Sequence, residues 1–165
     1  MSLVELLDVI FGNTVIKSIL MALIIGLSFN ASAKDYGTYV IEKSSIISVY
    51  DGDTFYIKID GCPPVLCERL GVRIYGIDTP EKRSKCISEK ELALQAKDVL
   101  SGLIKSGSVI ELHNLQKGKY GRLLGYLYID GVSYSDLIIS KGLAVPYFGG
   151  KKNSWCSSDR TKIVL

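Results

Sequence analysis

Apolar and polar positions alternate with a period of two through much of residues 46–77, the pattern of strands with one buried face. Ile46–Tyr50 is the first such run and ends at the turn Asp51-Gly52-Asp53. Thr54–Ile59 follows, with Phe55, Ile57 and Ile59 on one face, and Asp60-Gly61 turns the chain again. Val72–Ile77 is the third run, closed by Asp78-Thr79-Pro80. The period then changes. Leu92, Ala96, Val99, Leu100 and Leu103 recur at helical spacing, with Ser88 expected as N-cap, Glu91 as its capping-box partner and Gly107 as the stop. Strands return at Val109–Leu112 and Leu123–Ile129. A turn at Asp130-Gly131 precedes a short helix at Ser135–Lys141, ended by Gly142. Five strands with a helix between the third and fourth and a short helix after the fifth predict a mainly β, α+β protein. The architecture expected is a five-stranded Greek-key barrel of the OB type.

The N-terminus follows a different pattern. Ile19–Leu27 is an apolar run of nine residues, preceded by Lys17 and followed by Ala31-Ser32-Ala33. A membrane-crossing helix needs about 20 such residues. The layout is that of a secretory signal peptide cleaved after Ala33, rather than a buried or anchoring helix. Residues 1–16 carry Glu5 and Asp8 and no basic residue, which is unusual for a leader. This suggests a start at Val15, read from a GTG codon. The expected organisation is a leader at 1–33 and one domain at 34–165, secreted or periplasmic, touching the membrane only in transit. A monomer is expected.

Composition narrows the chemistry. The chain of 165 residues holds a single His, His113, read here as structural. One His nearly rules out His-based zinc sites, paired-His phosphatase chemistry and His–Asp nucleophile triads. Beyond Ala33 there are 19 basic and 15 acidic residues, a mild positive excess that suits an anionic partner. All four cysteines lie beyond Ala33, and an even count behind a leader points to disulfides. The expected pairs are Cys62–Cys67, which is local and brackets Pro63-Pro64, and Cys86–Cys156. A zinc site built from the four thiolates lacks any Cys-x2-Cys spacing.

Three segments place polar residues where strands should be plain: Asp51-Gly52-Asp53-Thr54, Arg73 through Glu81, and Lys119-Tyr120-Gly121-Arg122. Each has a bland reading as a hairpin turn, a helix start or a solvated basic loop. Together they offer carboxylates at strand ends, which suit a hard oxygen-seeking cation. Arg73 lies five positions before Asp78. In an unbroken strand that odd spacing puts the two on opposite faces, unless the strand bends near Gly76.

The ordered set Asp-Gly-Asp-Thr, Arg-x4-Asp-Thr-Pro-Glu and Lys-Tyr-Gly-Arg resembles the staphylococcal (micrococcal) nuclease, or thermonuclease, family over roughly residues 45–147. The resemblance implies a calcium-dependent endonuclease that cuts DNA and RNA and leaves 3′-phosphates. It implies calcium held by Asp53, Asp78 and the carbonyl of Thr79. Arg73 and Arg122 match the two arginines that grip phosphate, and Glu81 matches the residue that positions or activates water. Lys119 and Tyr120 match residues of the nucleotide pocket, and Tyr147 is a candidate for stacking on a base. The chain departs from the family in two places. Segment 61–71, with Cys62 and Cys67, lengthens the connection before Arg73. After Tyr147-Phe148-Gly149-Gly150 only fifteen residues remain, too few for the family's final helix and tail, though Lys151, Lys152 and Trp155 fall where they can still reach the barrel. The Cys86–Cys156 bridge is expected to replace that helix. A catalytically silent module that only binds nucleic acid is the main alternative. A disulfide-braced envelope domain whose carboxylates merely cap turns is the third.

Overall fold

The computed structural model describes residues 34–156, so the leader expected at 1–33 and the last nine residues lie outside the described residues. The strands are β1 (Tyr39–Val40), β2 (Ile46–Val49), β3 (Thr54–Ile57), β4 (Leu70–Ile74), β5 (Gly76–Asp78), β6 (Ile110–Lys117), β7 (Leu123–Ile129), β8 (Val132–Ser133) and β9 (Val145–Tyr147). The helices are α1 (Pro64–Cys67), α2 (Ile87–Ser106) and α3 (Tyr134–Ser140). The five expected strands correspond to β2, β3, β4, β6 and β7. They form a mixed, curled sheet in the order β1-β6-β7-β4-β3-β2, with β8 on β7. The β4–β7 pairing is parallel; the others are antiparallel. This is the curled half-barrel of an OB-like α+β fold.

Four details differ from the sequence reading. The third run is two strands, because Gly76 adopts φ +85° and breaks it; β5 leaves the main sheet and pairs with β9. Ser88 is not the cap of α2. The helix starts at Ile87 with Cys86 as N-cap and no side-chain cap bond. The disulfide from Cys86 ties this helix start to Cys156. The inward stripe of α2 is Ala93, Ala96, Leu100 and Ile104, with Leu92, Val99 and Leu103 packed partly buried beside it. The short helix begins one residue early, at Tyr134, where Ser133 Oγ accepts from the Asp136 N–H. Both disulfides pair as expected, Cys62–Cys67 and Cys86–Cys156.

The core fills the space between the sheet's inner face and α2. Phe55, Ile57, Val72, Ile74, Leu112 and Leu127 come from the strands, and Ala96 and Leu100 from the helix. Ile138 closes one end. Removing this apolar surface from water is the main stabilising term. The small residues of α2 matter for the site. A Cβ on Gly52 would lie 2.6 Å from Ala96 Cβ. The Asp51-Gly52-Asp53 turn therefore rests directly on the helix. Tyr134, 1% exposed, donates its hydroxyl to the Gly52 carbonyl at 2.7 Å and anchors the same turn from α3.

Candidate active site

The break at Gly76 brings the motif residues together. Arg73 leaves β4, and Asp78 ends β5 after the chain has turned. The odd spacing then no longer separates them. Arg73 Nη1 lies 2.7 Å from Asp53 Oδ2, and Nη2 lies 3.9 Å from Asp78 Oδ1. Its fork also donates to the carbonyls of Ile74 at 3.1 Å and Ile77 at 2.9 Å. The guanidinium thus pins the strand kink and the Asp53 carboxylate at once.

Asp53 and Asp78 are buried, at 5% and 2% exposure. Burying charge is costly unless it is paired or hydrogen-bonded. Asp53 Oδ2 accepts from the Thr79 N–H at 3.1 Å and the Thr79 hydroxyl at 2.9 Å, and Oδ1 accepts from the Thr54 hydroxyl at 2.9 Å. Asp78 Oδ2 accepts from Trp155 Nε1–H at 3.2 Å. Asp78 Oδ1 is fully buried and accepts no hydrogen bond among the described residues. Lys152 Nζ lies 2.7 Å from it, as a charge contact without hydrogen-bond alignment. Glu81 stands at the rim, its side chain 51% exposed, with Oε1 2.6 Å from Lys152 Nζ.

The cluster suits a divalent cation. The carboxyl groups of Asp51, Asp53 and Glu81 line the cleft and that of Asp78 lies behind it, with Arg73 and Lys152 paired to Asp53, Asp78 and Glu81. Asp78 Oδ1, buried and faced by the Lys152 ammonium without an aligned hydrogen bond, is an oxygen of the kind a hard cation takes. Burial and then the neighbouring charge of Asp53 push the Asp51 carboxyl up to about 7.

The cleft measures about 800 Å³ and is lined by Asp53, Arg73, Glu81, Lys119, Arg122 and Tyr147, among others. Asp78 and Thr79 lie buried behind these residues. Arg122 follows the 3-10 turn Lys119–Gly121, where its backbone N–H donates to the Lys119 carbonyl at 3.3 Å and its side chain, among the described residues, makes one hydrogen bond, Nε–H to the same carbonyl at 3.4 Å. Its guanidinium is therefore free for a ligand in a way that Arg73's is not. Tyr120 does not join the cleft. It is 92% exposed with φ +59°, and its ring lies 5.7 Å from the Arg122 guanidinium. The lengthened segment 61–71 carries α1 and packs away from the cleft, with Val65 and Leu66 exposed.

Sequence reasoning missed five contributors. Asp51 stood within a quoted motif. Tyr134 lay just outside the expected short helix at Ser135–Lys141 and carried no reading. Glu89, 7% exposed, accepts from the Glu81 N–H at 3.0 Å and the Ser84 hydroxyl at 2.6 Å, and so shapes the loop that carries Glu81. Lys152 and Trp155 reach the site from the tail. Sequence reasoning placed both within reach of the barrel and expected the Cys86–Cys156 pairing, but assigned neither a contact with the carboxylates.

An OB-like half-barrel with acidic strand ends and arginines at one cleft defines a class of phosphate-directed sites. The family model described as "Staphylococcal nuclease homologue" matches residues 71–162. The chain belongs to this family. Similar curated proteins include the thermonuclease of Staphylococcus hyicus, 27% identical over 60% of this chain and 56% of that protein. Another is endonuclease YncB of Bacillus subtilis, 31% identical over 57% of this chain and 43% of that protein. An uncharacterised protein of Bacillus anthracis is 25% identical over 68% of this chain and 50% of that protein. The chain thus spans between two fifths and three fifths of the length of these relatives.

Proposed function

We propose that the chain is a calcium-dependent endonuclease that hydrolyses phosphodiester bonds of DNA and RNA and leaves 3′-phosphate ends. The observation that carries this reading is the convergence of Asp53, Glu81, Arg73 and Arg122 on one cleft with Asp78 buried behind it, the kink at Gly76 bringing Asp78 to the side of Arg73. Asp53, Asp78 and the Thr79 carbonyl are the groups that would hold the calcium ion. When bound, the ion supplies Lewis acidity to a phosphate oxygen. The rest of the work falls to side chains. Arg122 binds a phosphate oxygen through its planar fork, which Lys does not reproduce. Arg73 keeps Asp53 and the β4–β5 kink in place and adds positive charge behind the phosphate. Glu81 orients the attacking water; a glutamate is a weak base at neutral pH, so orientation is its larger task. Lys119 and Tyr147 line the cleft where the strand would lie, and Tyr147 offers a ring for stacking.

The two disulfides and the leader-like residues 1–33 support secretion or a periplasmic location. One observation favours the alternative of a silent nucleic-acid-binding module: Arg73 and Glu81 are both engaged by protein partners. A single incubation separates the two. Purified protein is mixed with single-stranded DNA or RNA in calcium, in magnesium and in a chelator, with Glu81→Ala in parallel. Calcium-dependent degradation to 3′-phosphate ends, lost in chelator and in the variant, is expected. Salt-sensitive binding without cleavage in any ion would establish the silent module instead.

A further inference from the structure

The chain after β9 turns back into the cleft. Gly149 and Gly150 take φ +115° and +88°, conformations that side-chain-bearing residues avoid. The Tyr147 hydroxyl donates to the Gly150 carbonyl at 2.8 Å and braces the reversal. Beyond it, Trp155 is 8% exposed and bonded to Asp78 Oδ2, and Cys156 is bonded to Cys86 at the start of α2. Between these anchors Lys152 sets one ammonium against two carboxylates, 2.7 Å from Asp78 Oδ1 and 2.6 Å from Glu81 Oε1.

We infer that Lys152 is a tethered counter-cation of the carboxylate cluster, one that a divalent cation must displace to bind, so that the tail sets the metal affinity of the site. This rests on the cation-dependent reading above. The ammonium covers the buried oxygen that no hydrogen bond fills, and a second cation there meets both its volume and its charge. The Lys side chain is 40% exposed, so its four-carbon stem has a path to solvent when it yields. Trp155 and the disulfide stay in place meanwhile, and they keep the local concentration of the ammonium high. An unanchored lysine on a loose tail would compete weakly, as exposed ion pairs do. Displacement also frees Glu81, which the shared ammonium otherwise ties to Asp78.

The test is calcium binding by the full chain with both disulfides formed, followed by isothermal titration calorimetry. Terbium luminescence sensitised by Trp155 gives a second readout. Lys152→Met is expected to bind calcium about tenfold more tightly than the parent, the low end of what a part-exposed charge-assisted bond is worth. Cys86→Ser/Cys156→Ser is expected to shift affinity in the same direction, by less. Equal or weaker calcium binding by Lys152→Met, with the parent binding normally, overturns the inference and leaves the cation-dependent reading standing. If neither protein binds calcium or terbium, the cation site itself is wrong and the inference falls with it.

Discussion

The two arginines of the cleft should separate stability from rate. Arg73 is 13% exposed, with Nη1 2.7 Å from Asp53 Oδ2 and further bonds to the carbonyls of Ile74 and Ile77. Arg73→Ala strands a carboxylate that is itself 5% exposed. Removing one partner of such a pair costs about 3–5 kcal/mol. The Thr79 and Thr54 donors to Asp53 remain, which argues for about 3. That is a large share of the roughly 5–15 kcal/mol that stabilises a domain. Arg73→Lys keeps the charge but loses the fork, at about 1–3 kcal/mol. The Arg122 side chain has a single 3.4 Å bond to its own turn. Arg122→Lys should change stability by no more than about 0.5 kcal/mol, while turnover falls on the order of 100-fold as a preorganised transition-state contact is lost. The assay pairs urea unfolding with single-turnover cleavage of a short single-stranded DNA. An unfolding midpoint for Arg73→Ala equal to the parent's would refute the structural role. Full activity in Arg122→Lys, or destabilisation as large as that of Arg73→Lys, would refute the division of labour.

Three further outcomes are expected. Tyr134→Phe leaves the Gly52 carbonyl without its donor and should cost about 1–3 kcal/mol, read by urea unfolding; calcium affinity should fall with it, because the Asp51–Asp53 turn loses an anchor. Cys86→Ser/Cys156→Ser opens a closed loop with a sequence separation of 70, and the chain-entropy account gives a loss of about 4 kcal/mol. An unchanged melting temperature would show that the bridge does not stabilise the fold. Asp130 accepts from the Ser108 and Val109 N–H groups, each at 2.8 Å, and these bonds lower its pKa. Its contribution is therefore present above the ordinary Asp range near 3.8 and is lost as the pH falls through and below it. Asp130→Asn should flatten that acid limb of the stability profile while leaving neutral pH less affected.

What the sequence revealed about the site followed from locality. Strand period, turn residues and helical spacing act over a few residues, and they located β2, β3, β4, β6, β7 and α2 to within a few positions. The pairing of Arg73 with Asp78 was harder, since alternation alone put them on opposite faces. The resolving feature was present as Gly76, which takes φ +85°. A Cβ there would also meet the Tyr126 ring at 3.2 Å, a contact fifty positions away that the local pattern does not carry. The same holds for the cap of α2. Ser88 and Glu91 have the right spacing, yet the helix starts at Ile87 and the cap position falls on Cys86, which is bridged to Cys156 across a sequence separation of 70.

The tail carries the argument furthest. Lys152 reaches Asp78 and Glu81 across more than seventy positions of sequence, and no motif contains it. Its placement follows from three constraints that are each ordinary: glycines that reverse the chain, an indole N–H that needs an acceptor when buried, and a disulfide to the helix start. Satisfying the indole selects Asp78, the same carboxylate that the motif assigns to the cation. The stabilisation of the C-terminus and the chemistry of the cleft therefore share one residue. Any substitution at Trp155 should move both together, with calcium affinity and unfolding midpoint changing in the same variant. A Trp155→Phe protein that loses stability without any change in calcium affinity would show that the two are separable after all.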